Sequence, residues 1–243
     1  MENGNKYRRK MLEAAVRSGR GHLGGSFSCV EILMAVHNIM KKDDHFILSK
    51  GHAAIALYSI LYDTLDTFCK DGSYFTEHPS GLIPQIKLTT GSLGHGVGIA
   101  CGIALAKKLN NESGRVYVLV GDGECMEGSI YEAVMFAVIQ KLNNLTIILD
   151  ANGIMSMRRF PTDKVDYRNI FHSMKCSISK VDGHDIDEIS KHLSFVHNNS
   201  PRLIIARTIK GKGVSFMEDS VNWHHGVPKG EQLEIARKEL AND

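Results

Sequence analysis

The stretch that decides the fold is RVYVLVGDGECMEGSIYEAVMFAVIQKLNNLTIILDANG, residues 115–153. It opens with an apolar run at 115–120 and closes with a second at 145–150. Between them, apolar residues recur at helical spacing from Gly128 to Leu142. Two short apolar strands joined by a helix form a βαβ unit with parallel strands and a right-handed crossover. This stretch therefore predicts a parallel sheet.

The rest of the chain continues the same alternation of helices and strands. Apolar periodicity predicts helices at 6–18, 28–41, 51–65, 92–110 and 185–197, and strands at 45–49, 176–181 and 202–208. Residues 68–92 are rich in Gly, Pro, Ser and Thr, which predicts a long loop of the kind that usually carries function. We expect an α/β fold with a doubly wound, mostly parallel sheet flanked by helices, in a single domain over residues 1–243.

Composition excludes several classes of function. The 29 basic and 27 acidic residues nearly balance, which argues against a nucleic-acid or membrane role driven by charge. No segment approaches the roughly 18 apolar residues of a spanning helix, and the first residues lack the apolar centre of a signal peptide. The five cysteines are scattered and form no C-x-x-C pair, so we expect a reducing, cytoplasmic compartment without disulfides or structural zinc.

Two polar residues follow the two strands of the deciding stretch. Asp122 and Asn152 lie 30 residues apart, about one βαβ unit, so both would face one crevice at the carboxyl ends of the strands. Either could be a turn residue by itself, since GDG and ANG are both good turn sequences. At the two ends of one unit they favour a ligand site. Carboxylate, amide and carbonyl oxygens suit Mg²⁺ or Ca²⁺ rather than zinc, and Gly121 and Gly123 allow phosphates to approach the backbone.

Histidine and glycine recur together along the chain. Twelve histidines and 23 glycines include the stretches GRGHLGGS, SKGHAA, GSLGHG, VDGHD and HHG. A single histidine is more often a hydrogen-bonded structural residue than a functional one. Repeated Gly-His pairs in loop-like settings favour function, because glycine lets the backbone and the imidazole approach a ligand closely.

Residues 121–154 resemble the thiamine diphosphate motif, which begins with GDG and ends with asparagine about thirty residues later. The loops SGRGHLGGSFS, LSKGHAA, TTGSLGHG and VDGHD resemble loops in the amino-terminal half of transketolase. The likeness runs from about residue 7 to about residue 230. The resemblance implies the thiamine diphosphate-binding fold, in its diphosphate-binding domain.

The resemblance also implies the ligands of the cofactor and its metal. Asp122 and Asn152 would bind Mg²⁺, or Ca²⁺, through their side chains, and Ile154 through its carbonyl oxygen. The residues implied to contact thiamine diphosphate are Gly121, Gly123, His52 and His184 at the diphosphate or reaction centre, and Gly91 and Leu93 at the aminopyrimidine.

The implied activity is transfer of a two-carbon ketol unit from a ketose, or ketose phosphate, to an aldose or aldose phosphate. The histidines implied to surround the reacting carbons are His22, His52, His78 and His184. Histidine titrates near neutral pH and therefore suits proton transfer at the sugar oxygens. Glu127 and Glu132 match acids that lie near the dimer interface of the family and connect its paired active sites.

Part of a transketolase does not appear in this sequence. In the family, a pyrimidine-binding domain follows the diphosphate-binding domain and carries the glutamate that activates the aminopyrimidine. We expect the chain to be the first subunit of a split transketolase rather than a fragment, inactive alone and active with a C-terminal subunit. Two copies of each chain would form a heterotetramer.

Two positions depart from the family pattern. Cys69, followed by Lys70, stands where the family commonly has an arginine near the sugar, and His95 stands where glutamine is usual. The first departure favours a substrate other than an ordinary pentose phosphate. Two alternative functions remain. One is another thiamine diphosphate enzyme half, like 1-deoxyxylulose-phosphate synthase or a ketoacid decarboxylase, which the GHLGGS and SKGHAA loops disfavour. The other is a non-catalytic phosphate-binding subunit, which Asp122 with Asn152 and the placed histidines disfavour.

Overall fold

The computed structural model describes residues 3–161, 164–195 and 199–241. Within these ranges five strands form one sheet in the order β1-β2-β3-β5-β4, and every neighbouring pair is parallel. The strands are β1 His45–Leu48, β2 Val116–Gly121, β3 Leu145–Ala151, β4 Ser177–Asp182 and β5 Arg202–Arg207. The predicted parallel α/β sheet is confirmed, while a single domain over 1–243 stays a prediction.

Helices cover both faces of this sheet. They are α1 Gly4–Ser18, α2 Leu23–Phe27, α3 Val30–Ile39, α4 Ala54–Leu61, α5 His95–Leu109, α6 Gly128–Ile139, α7 Tyr167–Ser173, α8 Ile186–Ser194 and α9 Glu231–Glu239. Short 3₁₀ turns lie at Gly51–Ala53, Glu124–Met126 and Val221–Trp223. Residues 62–94 hold neither helix nor strand, as the composition of this segment predicts.

The two layers of helices follow from the direction of the crossovers. The chain moves one way across the sheet from β2 to β3 and the opposite way from β4 to β5. Right-handed crossovers then place α6 and α8 on opposite faces. Successive side chains of β2 point to opposite faces of the sheet. Tyr117 and Leu119 pack in the hydrophobic cluster that includes α8, and Val118 packs in the cluster that includes α6. Both faces of the sheet are therefore buried, which explains its apolar strands.

The pairing of β2 with β3 brings two functional stretches together. Gly121 lies opposite Asp150 in the parallel register. Asp122 is the next residue after β2, and Asn152 is the next residue after β3. The two turns therefore leave the sheet side by side at its carboxyl edge, as the sequence predicts.

Several boundaries differ from the sequence prediction. The helix predicted over 28–41 spans Val30–Ile39, and a separate short helix, α2, precedes it. The predicted helix 128–142 ends at Ile139, because Lys141 takes a left-handed conformation with a φ of 50°. The helix predicted to reach residue 197 ends at Ser194, and residue 197 lies outside the described ranges.

Two further features bear on the expected environment of the chain. Among the described residues, no helix is both long and apolar enough to cross a membrane. The five cysteines are free thiols, and Cys69 is the most accessible of them, at intermediate burial.

Gly96 and Gly98 on α5 give a matched test of the packing at the sheet edge. A β-carbon on Gly96 would come within 2.6 Å of the Ser49 β-carbon, whereas one on Gly98 would have no neighbour within 4 Å. We predict that Gly96→Ala lowers the free energy of unfolding by about 1–3 kcal/mol through overpacking. Gly98→Ala should raise it by about 0.4–1 kcal/mol, because alanine has less freedom in the unfolded chain. Urea denaturation of both variants measures these changes, and equal effects would contradict the packing at Ser49.

Candidate active site

A cavity of about 480 Å³ opens beyond the carboxyl ends of β2 and β3. Ligands bind at this edge of an open parallel sheet, since the turns after the strands leave a crevice there. The predicted site residues in its lining are His52, Leu93, Gly121, Asp122, Gly123, Glu127, Asn152 and Ile154. Most of the residues predicted to hold a metal and a diphosphate thus share one cavity.

Asp122 and Asn152 are held by the same turn, residues 152–154. The Asp122 Oδ2 accepts a hydrogen bond from the Gly153 backbone N–H at 2.8 Å. The Asn152 Oδ1 accepts one from the Ile154 N–H at 3.1 Å. On the other side, the Tyr167 hydroxyl donates to the Asp122 carbonyl oxygen at 2.8 Å. These bonds fix the Asp122 carboxylate and the Asn152 amide next to each other at the carboxyl edge of the sheet.

The electrostatics around Asp122 favour a bound cation. Asp122 is 4% exposed, and burial, reinforced by the nearby Asp150 carboxylate, raises its pKa to about 7. Lys50 is the nearby buried ammonium, but it forms its ion pair with Asp150 and also donates to the Gly25 carbonyl at 2.8 Å. Among the described residues, no ion pair includes Asp122. A divalent cation would supply the missing positive charge and keep the carboxylate ionised.

The donor atoms present fit Mg²⁺ or Ca²⁺. The set combines the Asp122 carboxylate, the Asn152 amide oxygen and a backbone carbonyl of the 152–154 turn, all hard oxygen donors. Mg²⁺ usually binds proteins through one or two carboxylates and is completed by phosphate oxygens. The donor set and the buried, unpaired carboxylate together fit a metal–diphosphate group.

Gly121 and Gly123 fit a ligand lying against the backbone. A β-carbon on Gly121 would lie 3.9 Å from the Lys50 β-carbon, and one on Gly123 would lie 3.5 Å from the Met155 β-carbon. Both are ordinary contacts, so packing within the described chain does not require glycine at either position. Both residues line the cavity, where a missing side chain leaves room for a bound group.

Lys210 adds a cation that was not predicted from the sequence. Lys210 lines the cavity, and its Nζ donates to the Met155 carbonyl at 2.9 Å and lies 3.2 Å from the His224 Nδ1. Burial, together with the nearby Lys50 ammonium, lowers its pKa to about 8. Lys210 follows β5 by three residues, so the carboxyl-end rule that pointed to Asp122 could have found it. It suits a phosphate group of a ligand.

Histidine rings gather beside the cavity, with His22 at their centre. The rings of His52 and His78 lie 5.7 and 6.1 Å from the ring of His22. The rings of His224 and His225 lie even closer to it, at 5.4 and 4.5 Å. His22, His52 and His78 were all predicted for the site. His224 and His225 were not assigned a role, although the HHG stretch was one of the Gly-His signals.

Burial keeps three of these histidines neutral. It lowers the pKa of His22 to about 4 and that of His224 to about 3. It also holds the pKa of His52 well below its ordinary value of 6.5, with the Lys50 ammonium acting in the same direction. At neutral pH each ring therefore carries one N–H donor and one acceptor nitrogen. Such a cluster can both give and accept hydrogen bonds around a hydroxylated ligand.

His184 is engaged elsewhere in the structure. Its Nδ1 lies 2.9 Å from the Glu31 carboxylate, and its Nε2 accepts a hydrogen bond from the Ile209 N–H at 2.9 Å. Glu31 also pairs with Arg8 at 2.7 Å. His184 does not line the cavity, and both ring nitrogens have partners within the chain. These bonds support a structural role, and its assignment to the reaction centre stays a prediction.

The remaining predicted residues lie at the margin of the site. Gly91 has a φ of 146°, and a β-carbon there would come within 2.9 Å of the His78 ring, so this glycine makes room for His78. Leu93 is 38% exposed in the lining. Glu127 precedes α6 and lines the cavity, whereas Glu132 is exposed on α6 outside it.

Glu124 is a further buried acid that was not predicted from the sequence. It is 2% exposed, and its carboxylate accepts hydrogen bonds from the Ser49 hydroxyl, the Gly94 N–H at 3.0 Å and the Gly121 N–H at 3.2 Å. These partners belong to the segments after β1, before α5 and at the end of β2. Glu124 thus fastens three of the segments that form the cavity wall.

The chain is similar to known proteins over nearly its whole length. It matches the family model for the transketolase thiamine diphosphate-binding domain over residues 5–243. It is 36% identical to an apulose-4-phosphate transketolase subunit of Phocaeicola vulgatus, over 97% of this chain and 92% of that protein. It is 34% identical to transketolase of Homo sapiens, over 92% of this chain and 39% of that protein.

Solved structures give the same result at the level of the fold. The crystal structure of transketolase from Campylobacter jejuni superposes with a TM-score of 0.87 at 28% identity, covering 99% of this chain and 42% of that one. A Pichia stipitis transketolase in complex with sedoheptulose-7-phosphate superposes with a TM-score of 0.89 at 26% identity, and the match covers 98% of this chain and 40% of that one. The chain therefore spans about two fifths of the length of these transketolases and most of the Phocaeicola vulgatus protein.

The raised pKa of Asp122 predicts a pH-dependent penalty in the metal-free chain. Asp122 binds its proton more tightly when folded, at a pKa of about 7 against an ordinary value of 3.8. The Asp122 carboxyl group therefore contributes to the stability of the fold when the pH is below its pKa in the unfolded chain. That contribution is lost as the pH rises through 7, where the folded chain loses the proton. Asp122→Asn does not titrate and keeps an oxygen for the Gly153 N–H.

In chelator, we predict that Asp122→Asn becomes more stable relative to the unchanged chain as the pH rises. The difference between their free energies of unfolding should increase by about 2–4 kcal/mol between about pH 4 and pH 8. Urea denaturation across this range measures the difference. A difference that stays flat with pH would contradict the raised pKa. Saturating Mg²⁺ is the control, because it should shrink the difference at pH 8 by stabilising only the chain that has the carboxylate.

Proposed function

The chain belongs to the transketolase family, in its thiamine diphosphate-binding domain, and on that premise we propose that it is one subunit of a ketol-transferring enzyme. The proposed reaction moves a two-carbon ketol unit from a ketose phosphate to an aldose phosphate. The observation that carries the proposal is the single cavity that combines Asp122, Asn152 and Lys210, with the histidine rings beside it.

The proposed cofactor set is thiamine diphosphate with Mg²⁺, or Ca²⁺. Asp122 and Asn152 would bind the metal through side-chain oxygens, and Ile154 through its carbonyl. The residues proposed to contact the diphosphate are Gly121, Gly123, His52, Lys210 and His224. Gly91 and Leu93 would meet the aminopyrimidine through their backbone. The hard oxygen donors, the buried carboxylate and the cationic Lys210 support this assignment.

When bound, thiamine diphosphate supplies a carbon nucleophile and an electron sink for a ketose carbonyl. The residues of this chain would orient the sugar and handle its protons. His22, His52 and His78 would donate to and accept from the hydroxyl and carbonyl oxygens of the first sugar carbons. Burial keeps His22 and His52 neutral near pH 7, and this lets each serve in either direction. General acid–base catalysis by a positioned side chain typically contributes on the order of 10²–10⁴-fold to a rate.

The remaining wall of the active site is proposed to come from a second polypeptide. Large apolar side chains are exposed on α5, α6 and the turns before them, and we call this set the α5–α6 face. Its members are each at least 38% exposed, namely Leu93, Ile99, Met126, Met135, Phe136 and Ile139. Exposed apolar patches of this kind mark interaction surfaces. Glu127, in the cavity lining, would face the partner from the edge of this surface.

The proposed occupant is a polypeptide with a pyrimidine-binding domain, in a heterotetramer. Two relatives support a partner polypeptide, because they are named as subunits of apulose-4-phosphate transketolase. This chain covers 92% and 94% of their length, so they are of similar size. Their names point to apulose 4-phosphate as the first sugar phosphate to assay. Cys69, where the resemblance leads one to expect arginine, supports a donor or acceptor other than an ordinary pentose phosphate.

Cofactor binding by this chain alone gives the first test. The chain has one tryptophan, Trp223, next to the cavity residue His224, so bound thiamine diphosphate should change its fluorescence. We predict a saturable change that requires Mg²⁺ and weakens at least about tenfold in Asp122→Ala, because the metal loses its carboxylate ligand. Asp63→Ala, at an exposed aspartate outside the cavity, is the matched control. Equal binding by both variants would contradict the metal site.

Partner dependence gives the second test. The purified chain with thiamine diphosphate, Mg²⁺ and sugar phosphates should show no ketol transfer until the pyrimidine-domain polypeptide of the same organism is added. Ile99→Asp, on the α5–α6 face, should weaken association at least about tenfold by placing a charge in an apolar interface. Tyr74→Asp, also at an exposed residue but outside that face, is the control. Ketol transfer by the chain alone would overturn the partner.

A further inference from the structure

Three side chains of metal-ligating types converge next to the histidine rings. They are His22, Glu77 and His225. The Glu77 Oε2 lies 3.3 Å from the His22 Nδ1 and 2.9 Å from the His225 Nε2. One atom from each residue lies within 4.8 Å of the other two. None of these three residues lines the Asp122 cavity.

The spacing of these atoms suits one small cation. Ligands bound to Zn²⁺ at about 2.0–2.1 Å lie roughly 3.3 Å apart in a tetrahedral arrangement. The 3.3 Å between the His22 Nδ1 and the Glu77 Oε2 matches this value. The 2.9 Å between the His225 Nε2 and the same oxygen is a hydrogen bond, which would lengthen when both atoms bind an ion. Zinc sites that bind water or substrate often use two imidazole nitrogens and one carboxylate oxygen and leave the fourth position open.

The His22 Nδ1 supplies an independent observation. This nitrogen is buried and has no hydrogen-bond partner among the described residues, although the Glu77 oxygen lies only 3.3 Å away. The ring holds Nδ1 in a direction from which a proton does not reach that oxygen. A cation bound by both atoms would lie off the line between them. It would satisfy a buried nitrogen that is otherwise costly to leave unpaired.

The backbone holds the three residues in place before any ion arrives. His22 forms a β-bridge with Gly226, the neighbour of His225, and the Gly226 N–H donates to the Gly21 carbonyl at 3.0 Å. The backbone next to Glu77 is held where the His78 carbonyl accepts hydrogen bonds from the Tyr58 and Thr76 hydroxyls at 2.9 and 2.8 Å. The Glu77 carboxylate itself is hydrogen-bonded to the His225 Nε2 at 2.9 Å. A site whose ligands are already positioned loses little entropy on binding.

We propose that His22, Glu77 and His225 form a second metal site, which takes a transition metal of the Zn²⁺ class. Imidazole nitrogens favour such metals, whereas the oxygen donors at Asp122 favour Mg²⁺ or Ca²⁺. The side chain of His225 is 50% exposed, which leaves a route for an ion from solvent. The open position would take water or an oxygen of a small hydroxylated molecule.

The site bears on the role proposed for His22. A metal on Nδ1 removes that nitrogen from hydrogen bonding with a sugar, so zinc and sugar would compete at His22. Metal binding itself needs neither thiamine diphosphate nor the partner polypeptide. Failure of this site and failure of the proposed function are therefore separate outcomes.

The test uses the full chain, freed of metal, with excess Mg²⁺ present to fill the oxygen-donor site. Titration calorimetry with Zn²⁺ should give one equivalent of binding. Co²⁺ in place of Zn²⁺ should give the visible absorption of a four-coordinate nitrogen–oxygen site. Glu77→Gln should weaken Zn²⁺ binding at least about 10–100-fold, since it replaces a charged ligand by a neutral amide.

Two matched variants make the outcome decisive. His172→Gln removes an exposed histidine on α7, and Asp122→Asn alters the other metal site; both should bind Zn²⁺ like the unchanged chain. Zinc binding that is as tight in Glu77→Gln as in the unchanged chain would overturn the proposal. Loss of binding in Asp122→Asn would overturn it as well, because the ion would then lie at the wrong site. The unfolding midpoint in chelator shows whether each variant is folded.

Discussion

The parallel pairing of β2 with β3 is the constraint on which the candidate site depends. Its register places Gly121 opposite Asp150, so the chain leaves both strands at the same level. A slip of one residue would turn Asp122 or Asn152 to the other face of the sheet. The buried apolar side chains of both strands hold the register, because each has its own side of the sheet to fill.

A buried polar network lies directly beneath this edge. Asp150 forms an ion pair with Lys50 and accepts hydrogen bonds from Ser28, at 2.6 Å, and from Thr208. A buried ion pair stabilises a protein only when further hydrogen bonds satisfy it, as they do here. The network joins the segments after β1 and β5 to the end of β3. It also uses the positive charge of Lys50, and this leaves the Asp122 carboxylate for an external cation.

The candidate site combines charged side chains with neutral histidines. Asp122 and Lys210 carry the charges that suit a metal and a diphosphate, while burial keeps His22, His52 and His224 neutral. A neutral imidazole can donate a hydrogen bond from one ring nitrogen and accept one at the other. The cavity lining includes Leu93, a member of the α5–α6 face, and Glu127.

The parts of the site that local pattern determines were predictable from the sequence. Asp122 and Asn152 follow apolar strands within one βαβ unit, so periodicity was enough to bring them together. Glu77 and His225 could not be paired in this way, because they lie 148 residues apart in irregular segments whose contact depends on tertiary packing. The role of His184 was implied by the resemblance of its VDGHD loop to the family, but its partner Glu31 lies 153 residues away on α3, and no local pattern indicates that bond.

Anomalous X-ray scattering from Mn²⁺ tests the metal–diphosphate site most directly. Crystals of the chain grown with Mn²⁺ and thiamine diphosphate should show an anomalous peak in contact with the Asp122 carboxylate, the Asn152 amide oxygen and the Ile154 carbonyl. Phosphate density should complete the coordination, since ions of this type keep near-octahedral oxygen sets. A Mn²⁺ peak elsewhere, with none between Asp122 and Asn152, would contradict the site on which the proposed function rests.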